Sequence, residues 1–157
     1  MNLVTAENET DIGNFTAVTS KVSGTVIFDP AARTGSADLT VNGASLSSRV
    51  PLRDGHMRSA DWFNFDTMPA ITFKSTRVQY VSGDNHRVTG TLTMNGVTRT
   101  VTSTARVKLT PANDLTRASR IAGDALAVSV GFSVKLSDFG VKGSWLELCP
   151  TGNALRP

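Results

Sequence analysis

The sequence predicts an all-β protein whose antiparallel strands form a sandwich or barrel. Apolar and polar residues alternate with period two in segment after segment, as half-buried strands require. Turn residues punctuate those segments at regular spacing: Asp29-Pro30, Ser82-Gly83-Asp84-Asn85 and Asn95-Gly96. Only one short stretch reads as helix, near residues 52–59. The polar strand faces carry Thr, Ser and Lys, so they meet water, and the apolar faces meet one another across a core or line a cavity.

The elements follow in order. Leu3 to Ala6 and Gly13 to Val18 surround an acidic cluster of Glu7, Glu9 and Asp11, and read as two weak strands or one interrupted strand. Val22, Val26 and Phe28 share one face of the next strand, which Asp29-Pro30 stops. Ala31 to Gly35 is a turn by composition, and Ala37 to Leu46 follows with Leu39 and Val41 in step, giving a hairpin-like pair. After Pro69, Ile71, Phe73 and Ser75 point one way and Thr72, Lys74 and Thr76 the other. In Arg87 to Met94, Val88, Leu92 and Met94 alternate with threonines. Asn95-Gly96 is the best hairpin signal in the chain, because both central positions of a type I′ turn take a positive φ. Beyond it Val97, Val101, Ala105 and Val107 oppose Thr98, Thr100, Thr102, Thr104, Arg106 and Lys108. Thr110 to Arg120 is expected as a polar connection, and His86, at the Ser82 to Asn85 turn, as a solvated loop residue. The cleanest alternation predicts a last strand with Leu126, Val128, Val130, Phe132, Val134 and Leu136 on one face.

Composition limits the function. At 157 residues, 39% hydrophobic and 18% charged, the chain fits one soluble domain large enough to enclose a core or cavity. No apolar run approaches the roughly 20 residues of a membrane-spanning helix, so membrane insertion is not expected. A net charge of +3 without a basic cluster argues against nucleic acid. Cys149 has no second cysteine to pair with, and His56 and His86 are too few for a multi-histidine site, so neither a disulfide nor a metal is expected. The N-terminus has no secretory pattern, which places the chain in the cytoplasm as given, or in the periplasm or medium if a signal has been trimmed.

Arg53-Asp54-Gly55-His56-Met57-Arg58-Ser59, Trp62-Phe63, Pro69-Ala70-Ile71-Thr72-Phe73-Lys74-Ser75, Gly90 through Thr98 and Ser137-Asp138-Phe139-Gly140-Val141 occur in this order. The ordered set closely resembles the YceI-like, polyisoprenoid-binding family over roughly residues 22–141. The resemblance implies a lipocalin-like antiparallel barrel of about eight strands with a short helix at one side and an apolar tunnel for an isoprenoid chain. It divides the chain into a barrel domain, 1–141, and a divergent tail, 142–157. Two departures stand out. Met1 to Ser20 lack the histidines usual in the family's first strand, and Lys142 to Pro157 lack the alternation of its closing strand. The barrel is therefore expected to be incomplete there, its gap covered by the tail, by a second subunit in a homodimer, or by local opening.

The residues expected to line the tunnel are Val26, Phe28, Leu39, Val41, Ile71, Phe73, Leu92, Met94, Val101, Val128, Val130, Phe132 and Val134. They line a cavity or simply fill a closed core. An aromatic content of 6% leaves room inside a barrel of this length. Arg53, Asp54, His56, Met57, Arg58 and Trp62 have two readings: a clip that holds the helix to the barrel, or a tunnel mouth that meets a polar headgroup. His56, Asp54 and Ser59 offer the residue types of a hydrolase, but Asp54 and His56 are spaced i,i+2, which do not face each other on a helix. The expected function is non-catalytic sequestration or transport of a long isoprenoid-type lipid, polyprenyl or quinone-like, without a cofactor. A stress-protective or interaction barrel with a filled core is the alternative, and an isoprenoid-modifying enzyme a weaker one.

Overall fold

The computed structural model describes residues 2–9 and 14–141. The tail read as residues 142–157 lies outside them. A two-stranded antiparallel sheet is formed by β1 (Val4–Asn8) and β2 (Phe15–Thr19), so the acidic N-terminal region holds two strands. The rest is a six-stranded antiparallel sheet curled into a half-barrel, in the order β3 (Val22–Asp29), β4 (Thr34–Asn42), β5 (Ala70–Ser82), β6 (Asn85–Met94), β7 (Val97–Thr110) and β8 (Ala125–Val130). Every neighbour in the sheet is also a neighbour in sequence, an up-and-down meander.

Each turn follows from its residues. Asp29 ends β3 by accepting the backbone N–H groups of Ala31 and Ala32 at 2.8 and 3.0 Å. Asn95 and Gly96 take φ of 51° and 70°, the type I′ pattern, and join β6 to β7 with Met94 opposite Val97. That register carries the apolar positions into line across the sheet: Leu39 faces Phe73, which faces Leu92, and Val41 faces Ile71. Outside, the same register aligns threonines, and the hydroxyls of Thr93 and Thr98 and of Thr89 and Thr102 hydrogen-bond across the strands.

One end of the half-barrel is stoppered. Helix α1 (Pro51–Arg58) starts with proline at its first position, where a missing N–H costs nothing. Its Met57 joins Ala17, Leu46, Trp62, Phe65, Met94, Phe139 and Val141 in one buried apolar cluster. The backbone around Gly43 is squeezed into this cluster: its N–H donates to Pro69 O at 2.6 Å, and a Cβ at Gly43 would overlap the ring of Phe65. A second cluster lies along the sheet, with Phe73, Val88 and Ala105 buried and Val78, Leu92, Val101 and Phe132 packed against them.

Three expectations are corrected. The polar connection after β7 contains a second short helix, α2 (Asp114–Ala118), held by a capping box in which Asn113 Oδ1 accepts from Thr116 N–H while Thr116 Oγ1 accepts from Asn113 N–H. The last strand stops at Val130, so Phe132, Val134 and Leu136 do not continue the ladder. Where it would have continued, the Ser103 hydroxyl takes up the Gly131 carbonyl, and the chain leaves β7 to cross the concavity. Phe132 then packs on Phe73 with ring centroids 4.9 Å apart, and a 3-10 turn at Leu136–Phe139 delivers Phe139 to the stopper. Asn95 Nδ2 donates to Phe139 O at 3.1 Å and fastens that turn to the β6–β7 hairpin. Finally, His86 is not a loop residue: it belongs to β6 and is 3% exposed.

Replacement of Gly43 by alanine is expected to lower stability by about 1–3 kcal/mol, because the Phe65 ring is enclosed and cannot retreat. A guanidinium unfolding midpoint unchanged from wild type would show that the ring has room to move.

Candidate functional site

Strand register decides what faces the concavity. The directly opposed pairs Val26 and Ala37, Leu39 and Phe73, Phe73 and Leu92, Gly90 and Val101, Ala105 and Val130, and Val107 and Val128 put their side chains on the inner side. Ten of the thirteen expected lining residues, Val26, Phe28, Leu39, Val41, Ile71, Phe73, Leu92, Met94, Val101 and Val130, thus fall on one continuous face with Val128 at its edge. Phe132 reaches the same face from the crossing segment, while Val134 is exposed. Met94, at the end of this face, is also part of the stopper.

The face is not fully covered. The edge strands β3 and β8 are unpaired on their outer sides among the described residues, and the inward-facing Val26 and Val128 near those edges remain 39% and 43% exposed. A shallow indentation of about 320 Å³ lies at the Val22 end of β3, lined by Ser20, Lys21, Val22, Ser23, Thr40 and Asn42.

The charged stretch of α1 is committed to local contacts. Asp54 accepts from Ser47 Oγ at 2.8 Å, Ser48 Oγ at 2.6 Å and Ser48 N–H at 2.7 Å, tying the helix to the loop before it. Desolvation alone would push the Asp54 carboxyl up. The hydrogen bonds from the Ser48 hydroxyl and backbone and from the Ser47 hydroxyl, with the Arg58 charge, outweigh it and hold the group below its ordinary value. The Arg53 guanidinium lies over the Phe15 ring at 4.9 Å, and Arg58 Nε is 3.8 Å from Asp66. Met57 and Trp62 are buried in the stopper. Ser59 Oγ donates to the backbone carbonyl of His56 at 2.7 Å, so neither this serine nor Asp54 bonds to the imidazole of His56. Among the described residues no three His, Cys, Asp or Glu side chains converge as a metal site.

One polar group on the inner face escaped sequence reasoning. His86 stands opposite Tyr80 on β5 and Ala105 on β7, edge-on to Phe28 and Tyr80 with centroids 5.4 and 5.6 Å away. The signal was its step with Val88, Leu92 and Met94, all even-numbered and all inward.

An antiparallel meander curled around an apolar face, stoppered at one end by a short helix, defines a lipocalin-like β-barrel protein. The chain belongs to the YceI-like domain family, whose model matches residues 3–154. That family is known for binding polyisoprenoids and is not known as a family of enzymes. Among curated relatives, a UPF0312 protein of Pseudomonas paraeruginosa is 38% identical over 104 residues, 66% of this chain and 51% of its own length. Protein YceI of Escherichia coli is 37% identical over 122 residues, 76% of this chain and 59% of its own. The chain therefore spans little more than half the length of these relatives. Of solved structures, Burkholderia cenocepacia BcnA superposes with a TM-score of 0.74 at 25% identity, covering 93% of this chain and 86% of BcnA. The Campylobacter jejuni YceI protein gives 0.61 at 19% identity over 82% of this chain and 90% of its own. No helix of the described residues is long and apolar enough to cross a membrane.

Asp54→Ala is expected to cost about 1–3 kcal/mol at neutral pH, since three donors lose their acceptor. Because the folded carboxyl titrates below the unfolded value of about 3.9, its contribution is complete above that pH and disappears as pH falls through the lower folded value. Urea melts of the two proteins should therefore converge below about pH 4. A gap that stays constant into acid would mean the carboxylate charge is irrelevant to the clip.

Proposed function

We propose that this protein binds a long isoprenoid-type lipid along the inner face of its half-barrel and holds or carries it without chemical change. The observation that carries this reading is the continuous apolar face from Val26 to Val128, which the described chain leaves partly open to a ligand. Covering that surface is favourable by ~25 cal/mol per Å² and needs no directional chemistry along a hydrocarbon chain. Membership of a polyisoprenoid-binding family supports the same reading. The commitment of the Asp54 cluster to the loop before α1 favours a structural clip over a headgroup site there. Arg53, His56 and Arg58 then serve α1, and the lipid's polar end belongs elsewhere.

Solvent extraction of the purified protein, followed by lipid mass spectrometry, is the direct test. A co-purified polyprenyl chain is expected, and a protein that neither carries nor takes up one would favour a barrel with a filled core. Val128→Glu places a charge on the exposed rim of the inner face and should lower polyprenyl uptake by about tenfold or more, the effect of putting a carboxylate against hydrocarbon. Ile27→Glu, at a more accessible position 62% exposed on the outer face, should leave uptake unchanged. Equal losses in both variants would place the lipid outside the concavity.

A further inference from the structure

His86 sits inside the half-barrel at the end of β6 remote from the stopper. Met94 marks the stoppered end of the same strand, about 27 Å away at roughly 3.4 Å per residue. The imidazole is 3% exposed and boxed edge-on by Phe28 and Tyr80, while the Arg33 guanidinium covers Tyr80 at 4.5 Å. Its Nδ1 is 3.1 Å from the backbone carbonyl of Asp84. A carbonyl oxygen only accepts, so Nδ1 carries the proton and, in the neutral ring, Nε2 is left as an acceptor. That Nε2 is buried and has no partner.

Neither Tyr80 nor Asp84 supplies it a donor. The Tyr80 hydroxyl accepts from Gly83 N–H at 3.0 Å, and the Asp84 carboxylate is 3.6 Å from Arg106. A buried acceptor without a donor costs free energy, and a ligand that brings the donor recovers it. Such an atom selects by chemistry. A terminal hydroxyl, alcohol or phenol, supplies a proton to Nε2. A quinone carbonyl or an ether supplies only another acceptor.

We propose that His86 Nε2 is the headgroup acceptor of the inner face, and that the ligand is a hydroxyl-terminated isoprenoid whose hydroxyl donates to it while the chain runs along β6 toward the stopper. This rests on the reading of the inner face as an isoprenoid site. It also assigns the polar end of the ligand to the pole opposite α1.

The probes are geranylgeraniol and its methyl ether, which share a chain and differ in the proton. Wild-type protein is expected to bind the alcohol about 2- to 12-fold more tightly, the worth of one net hydrogen bond. His86→Phe keeps an aromatic in the box, removes Nε2, and should lose this preference. In the wild type, the His86 Nε2 nitrogen resonance should move on adding the alcohol and stay in place with the ether, a readout that needs no folded variant. Equal affinity of the wild type for both probes, a preference that survives in His86→Phe, or an unmoved Nε2 resonance on saturation with the alcohol would each overturn the role of His86 while leaving the isoprenoid site standing. Failure of the wild type to bind either probe would overturn both.

Discussion

Trp62, Phe65 and Phe139 meet Met57, Met94, Leu46, Ala17 and Val141 at one end of the curled sheet, and this contact holds separate parts of the chain in one body. It gathers the N-terminal hairpin, α1, the loop after it, the β6–β7 turn and the segment that crosses the concavity. An α1 of 8 residues is too short to persist in water by itself. It persists because Met57 and the aromatics beside it are buried, each ring removing about 150–250 Å² from water. The polar bonds around Asp54 then fix the direction of a helix that apolar contact has already placed.

With one end stoppered, the two poles of the sheet acquire different chemistry. The Met94 pole is dry and tightly filled, to the point that Gly43 has no room for a methyl group. The pole at the β5–β6 hairpin holds an imidazole among rings, with an ion pair at its rim. Between them run aliphatic side chains and Phe73, with Ser75 and Ser103 among them and Phe132 folded across from the crossing segment. A long, amphiphilic occupant with one polar end fits that gradient better than a globular or evenly polar one.

Most of the strands were legible because period-two alternation is a local property, and Leu39, Ile71, Phe73 and Leu92 advertise their face without reference to any partner. The Asn95-Gly96 turn was legible for the same reason, since its φ values are written in its residue types. What failed depends on distant groups. Phe132, Val134 and Leu136 alternate as well as any strand, yet the Ser103 hydroxyl ends the ladder and the stopper draws Phe139 away. His86 was misread because Gly83 and Asp84 make the turn shorter than the Ser82 to Asn85 cluster suggested, which returns the histidine to the sheet. The Asp54 stretch showed its residue types but not its partners, since Ser47 and Ser48 lie before the proline that opens the helix.

The tight turn between β6 and β7 has a reach beyond its own residues. Side chains change sides at every step along a strand, so a hairpin of fixed length passes its phase from one strand to the next. Through Asn95-Gly96, the even-numbered residues of β6 and the odd-numbered residues of β7 become the interior, and the threonines between them become the exterior. What the molecule can hold is therefore recorded in every second residue, and the intervening ones can be tuned for life in water without disturbing the record.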